Sequence, residues 1–98
     1  MTDSPLKGTV ALVAAGPVDS GSQAARVLAR HGAAIAVVYR DAFTAARDLV
    51  RAIEDEGGQA IAVKADVRDP AQDALARAKV TAILGRIDLV VLTEAGTG

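Results

Sequence analysis

Four short apolar runs recur along the chain, and each of the first three is followed by a segment of helical periodicity. The runs are Thr9–Ala14, Ala34–Tyr39, Gln59–Ala65 and Ile87–Leu92. They are nearly continuous in Val, Ile, Leu and Ala instead of alternating with polar residues, the pattern of strands covered on both faces. Strands that alternate with helices of ten or more residues predict βαβ units and a parallel sheet. Right-handed crossovers then place helices on both faces. The expected architecture is α/β: one three-layer domain over residues 1–98, βαβαβαβ, with strand order 3-2-1-4.

The helical segments carry their own punctuation. Ser22–His31 has Ala25, Val27, Leu28 and Ala29 at helical spacing, with Gly32 as the residue that stops it. Thr44–Glu56 carries Leu49, Val50 and Ile53 on one stripe and Arg47, Asp48, Arg51, Glu54 and Asp55 on the other side, and Gly57-Gly58 ends it. Asp69-Pro70 reads as an N-cap followed by proline at the first helical position, opening a helix that runs to about Leu84 before Gly85. His31, the only histidine, stands at a helix C-terminus, where a cationic or donating group is favoured, and reads as a capping residue.

Composition excludes several function classes. A formal net charge of −1 offers no electrostatic case for nucleic acid or an anionic membrane. There are no cysteines and a single histidine, so neither a disulfide framework nor a Cys- or His-cluster metal site can be built. No apolar run approaches the roughly 20 residues of a membrane span. The opening MTDSPLKG lacks the basic and apolar regions of a secretory leader, so a cytoplasmic protein is expected. Tyr39 and Phe43 are the only aromatics, and the core must be packed from small aliphatic side chains.

Gly8 to Gly32 concentrates the functional signal. An apolar strand enters a loop from Gly16 to Gly21, and a helix follows. That strand–loop–helix presents backbone N–H groups to a phosphate in nucleotide-binding α/β domains. The loop chemistry argues partly against it. Pro17 removes one N–H donor, and Asp19 brings a carboxylate to where a diphosphate would sit. The same residues would also serve a turn that merely connects.

The residues that follow resemble the N-terminal half of a short-chain dehydrogenase/reductase. The similar pieces are GTVALV, RVLARHGAAIAVVYRD, IEDEGGQAIAVKADVRDP and GRIDLVV, and they span nearly the whole chain. The most specific is the pattern GG-x-A-x-x-V-x-x-D-V from Gly57 to Val67. The resemblance implies a Rossmann-like half-domain and hydride transfer between NADP(H) and a carbonyl or alcohol. It places the family's T-G-x-x-x-G-x-G phosphate loop on Ala14, Ala15, Asp19 and Gly21, with Gly16 one residue along from a lost glycine. It implies that Tyr39-Arg40 reads the adenosine ribose, a basic residue there favouring a 2′-phosphate and hence NADP. Asp66-Val67 matches the pair that contacts adenine. The Asn-Asn-Ala-Gly motif falls on Thr93-Glu94-Ala95-Gly96, where both asparagines are missing and Ala95 and Gly96 remain. Arg40 as a solvated loop charge and Asp66 as a turn residue are the plainer alternatives.

The family's catalytic Ser and Tyr-x-x-x-Lys have no counterpart here: Tyr39 is the only tyrosine, and Phe43 stands where the lysine would be. Three readings follow: a reductase-family half-fold inactive alone, an NADP(H) enzyme completed by a separate half, or a non-enzymatic interaction module. The apolar strand over 87–92 would be an open edge, so self-association or docking of a complementary half is expected there.

Overall fold

The computed structural model describes residues 6–15, 18–40, 43–66 and 68–93. Seven elements alternate along it: β1 (Val10–Ala15), α1 (Val18–Arg30), β2 (Ala34–Tyr39), α2 (Phe43–Asp55), β3 (Gln59–Lys64), α3 (Pro70–Leu84) and β4 (Leu89–Thr93). The four strands form one parallel sheet in the order β3-β2-β1-β4, as the sequence predicts.

Alternate residues of the two central strands feed two separate cores, which is why those strands are apolar throughout. On one face Ala11, Val13, Ile35 and Val37 pack with Ala25 of α1 and with Ala46, Leu49 and Ile53 of α2. On the other face Val10, Leu12, Ala14, Ala36 and Val38 pack with Ala76 and Val80 of α3. Leu12, Ile35 and Ile53 are fully buried, and each stabilises the fold by roughly 1.5–3 kcal/mol through lost water contact. Val27, placed by its spacing on the inner stripe of α1, is instead exposed.

Two helices end alike. At the end of α1, Gly32 N–H donates to Ala29 O at 3.0 Å and Ala33 N–H to Leu28 O at 3.1 Å. At the end of α2, Gly57 N–H donates to Glu54 O and Gly58 N–H to Ile53 O, both at 2.9 Å. These are paired Schellman bonds, and they need a left-handed residue at the turn, supplied by Gly32 (φ 104°) and Gly57 (φ 90°). The His31 ring donates from Nδ1 to Val27 O at 2.8 Å, the capping role expected of it. Asp69 caps α3 by accepting the Ala71 N–H at 3.0 Å.

Two boundaries differ from expectation by more than one residue. α1 begins at Val18, four residues before the expected Ser22. An aspartate in the first turn favours a helix start and offsets part of the cost of Gly21 inside the helix, about 1 kcal/mol. β4 begins at Leu89, where Ile87 was expected. Asp88 reaches β1 with its side chain: Val10 N–H donates to Asp88 Oδ2 at 3.0 Å, while Asp88 N–H donates to Val10 O at 2.9 Å. A carboxylate thus takes the position of a ladder carbonyl.

Candidate functional site

In a parallel sheet the loops that follow the strands gather at one edge, and ligands of open α/β sheets bind there. The residues that the resemblance assigns to the adenosine side are brought together at that edge by the pairing of β2 with β3. Tyr39 and Lys64, the last residues of their strands, are register partners. One residue further on, Ala65 N–H donates to Tyr39 O at 2.8 Å, which carries Asp66 alongside Arg40.

Asp66 is the hub of the local polar network. Its Oδ1 accepts the Arg68 backbone N–H at 3.0 Å and the Arg68 Nε at 3.2 Å, and its Oδ2 accepts Arg68 Nη2 at 3.4 Å. The backbone bond closes an Asx-type turn that redirects the chain after β3. Arg40 Nη1 lies 4.0 Å from Oδ2. The Asp66 N–H donates to Gln72 Oε1 at 2.9 Å, and Gln72 Nε2 donates to Asp69 Oδ2 at 3.3 Å, so Asp66 is tied to the capped start of α3. Asp66 therefore does turn the chain, and the same turn holds it next to Arg40.

Beside this network lies an open depression of about 400 Å³ lined by Tyr39, Arg40, Phe43 and Lys64. The Tyr39 and Phe43 rings stand 5.8 Å apart at 56°, within the range of a favourable tilted pair. Arg47 lies over Phe43, its Cζ 5.8 Å from the ring centroid, a cation–π contact that holds the ring from the outer side. Among the described residues the lining thus combines two cations with two aromatic faces. Such a surface sets positive charge beside flat apolar faces.

The other expected phosphate contacts are distributed differently. Ala15 closes β1, while Asp19 and Gly21 belong to the first turns of α1 and not to a loop. Gly16, Val67, Ala95 and Gly96 lie outside the described residues. Of the residues the sequence singles out, Tyr39, Arg40 and Asp66 are brought together here, joined by Phe43, Lys64, Arg68 and Gln72, which it does not single out. A signal existed for two of these. Val63 and Ala65 are the buried alternates of β3, which leaves Lys64 on the opposite face, and Arg68 stands at the spacing an Asx turn demands after Asp66.

Among the described residues no group of three or more His, Cys, Asp or Glu is placed to hold a metal ion. No helix among them is long and apolar enough to cross a membrane.

Comparison with known proteins places this edge in context. A family model described as enoyl-(acyl carrier protein) reductase matches residues 13–97. A hydroxynaphthalene reductase of Aspergillus fumigatus is 40% identical over 88 residues, covering 89% of this chain and 32% of that protein. The crystal structure of a dehydrogenase/reductase from Sinorhizobium meliloti is 36% identical with a TM-score of 0.86, covering 92% of this chain and 36% of that one. A short-chain dehydrogenase from Burkholderia cenocepacia, solved in complex with NADP, is 35% identical with a TM-score of 0.81, covering 88% and 35% respectively. The chain spans about a third of the length of each of these three relatives. By family match, sheet order and the residues gathered at the carboxyl edge of the sheet, the chain belongs to the short-chain dehydrogenase/reductase family of oxidoreductases.

Proposed function

We propose that these residues form the adenosine-binding part of an NADP(H)-dependent oxidoreductase acting on a carbonyl or alcohol, in the cytoplasm. The observation that carries the reading is Arg40 at the carboxyl end of β2, set beside Asp66 and a depression rich in cations and aromatics. A guanidinium at that place offers a forked donor to a phosphate. When bound, the dinucleotide supplies or accepts the hydride. The work of this chain is to hold the adenosine end: Arg40 answers the 2′-phosphate, Tyr39 and Phe43 offer flat surfaces, and Asp66 positions Arg40. None of the 98 residues forms the family's Tyr-x-x-x-Lys proton donor, so the proposal assigns this chain binding and not proton transfer.

Titration of the protein with NADPH and NADH tests this. We expect NADPH to bind more tightly. Arg40→Ala should weaken NADPH by roughly tenfold or more, the value of one charge-assisted hydrogen bond, and leave NADH unchanged. Absence of NADPH binding at millimolar concentration overturns the reading.

A specific observation favours a second reading, that the chain docks onto another protein surface. Leu89 and Val90 of β4 are each 38% exposed on a strand that pairs on one side only among the described residues. An open apolar edge recruits a further strand, from a second copy or from a complementary half of the family domain. Sedimentation equilibrium at high micromolar concentration distinguishes the cases, and a stable monomer removes self-association.

A further inference from the structure

We infer that Lys64 is a second cation for the 2′-phosphate, and thus a specificity-determining residue for NADP over NAD, facing Arg40 across the depression at the ends of β2 and β3. The inference rests on the reading proposed above and names a residue that reading does not use.

Three observations converge on Lys64. The first is placement. Lys64 is the register partner of Tyr39, so its Cα lies about 5 Å from that of the residue preceding Arg40. The second is direction. Val63 and Ala65 are buried in the core under α3. Strand alternation therefore turns Lys64 to the other face, the one on which Phe43 opens α2, and both line the same depression. The third is the disposition of charge. Among the described residues the Lys64 side chain forms no ion pair or hydrogen bond. The nearest carboxylate in the network, Asp66, is already engaged by three bonds from Arg68. The ammonium is thus left to face the depression with its charge available to an anion.

The two cations divide the recognition between them. Arg40 presents a planar fork that fixes orientation, whereas a lysine acts as a mobile point charge on a flexible stem. A dianionic phosphomonoester gains from both. A free ribose hydroxyl gains almost nothing from the ammonium, so Lys64 contributes to the difference between the cofactors more than to either affinity. The competing role for Lys64 is to guard the open edge of β3, as lysines on edge strands do. A guard is indifferent to ligand charge, and this separates the two roles.

The test uses adenosine 2′,5′-bisphosphate and 5′-AMP, which isolate the adenosine end from the diphosphate and nicotinamide. Both are titrated calorimetrically into the wild-type protein, Lys64→Gln, Lys64→Arg and Arg40→Ala, with far-UV circular dichroism confirming the fold of each. For Lys64→Gln we expect about fivefold weaker binding of the bisphosphate, the size of one partly exposed charge pair, and unchanged 5′-AMP. Lys64→Arg should retain the wild-type preference. Equal binding of both ligands by the wild type overturns the NADP reading and this inference with it. A bisphosphate preference that survives Lys64→Gln but is lost in Arg40→Ala overturns the role of Lys64 alone. Equal weakening of both ligands in Lys64→Gln also overturns it.

Discussion

Gly58 is the residue of the Gly57-Gly58 pair whose replacement should cost the fold through contact, not conformation. A Cβ built on it would lie 2.8 Å from Ile53 Cγ2, 3.2 Å from Ile53 O and 3.5 Å from Ala29 Cβ. Carbon atoms attract best at about 3.5–4.0 Å, so the first contact overlaps by roughly 0.7 Å or more. Relief is hard to find. Ile53 is fully buried, its side chain is β-branched and stiff at χ1, and its carbonyl accepts the Gly58 N–H at 2.9 Å. Overpacking of this kind costs about 1–3 kcal/mol. Gly58→Ala also stiffens the unfolded chain, which returns about 0.4–1 kcal/mol. The expected net loss is about 1–2 kcal/mol. Urea unfolding followed by circular dichroism should show a lower midpoint with an unchanged slope. In an Ile53→Ala background the offending methyl is gone, and Gly58→Ala should cost much less. Gly57→Ala is the contrasting case: nothing lies within 4 Å of its Cβ, so its cost is purely that of φ at 90° and should not respond to Ile53→Ala. A Gly58→Ala protein as stable as wild type, or one whose loss persists unchanged in the Ile53→Ala background, would refute the packing argument.

Two further outcomes concern the polar contacts that join elements. Asp88→Ala leaves the N–H of buried Val10 without its 3.0 Å acceptor and should lower stability by about 1–3 kcal/mol in urea unfolding, whereas Asp88→Asn keeps an acceptor and should cost less. Glu56 accepts a 2.8 Å bond from Arg26 and lies 3.5 Å from Arg30; the Arg26 hydrogen bond, aided by the charges of both arginines, holds its carboxyl below its ordinary value of 4.5. A depressed folded-state value means that the stabilisation is present above the ordinary value and is lost as pH falls through the folded one. The difference in melting temperature between wild type and Glu56→Gln should therefore be small but measurable at about pH 6, shrink toward about pH 3, and shrink in high salt because the pair is exposed.

Much of the fold could be read from local signals. Gly32, Gly57, Gly58, Asp69 and Gly85 mark helix ends by short-range hydrogen bonding and Pro70 by its fixed φ, and such signals need no knowledge of the rest of the chain. Handedness of the crossovers placed the helices on both faces, and the sheet has the expected order 3-2-1-4. The start of α1 differs because Gly16 and Gly21 resemble a loop in sequence, whereas Asp19 and Gly21 belong to the helix. The start of β4 was misplaced because a side chain, that of Asp88, makes the bond a backbone group would ordinarily make. At the site, Tyr39, Arg40 and Asp66 could be found because strand ends are where such folds place ligands. The face taken by Lys64 could be read from alternation along β3, but its meeting with Phe43 could not, since that depends on the register of β2 against β3 and on where α2 begins.

The central position of β1 sets an order of assembly. Its pairing with β2 joins Val10 to Ala34 and needs only the α1 crossover to close. Its contact with Asp88 and β4 spans 78 residues, and the entropy of closing so long a span is spent before the contact is made. β1, β2 and β3 with α1 and α2 can thus form a βαβαβ unit first, and β4 arrives last onto a surface already built. The reverse holds on opening: amide hydrogen exchange should release β4 first and β2, bonded on both sides, last. The strand that reaches the sheet from farthest away in sequence is the one the sheet holds most loosely in time.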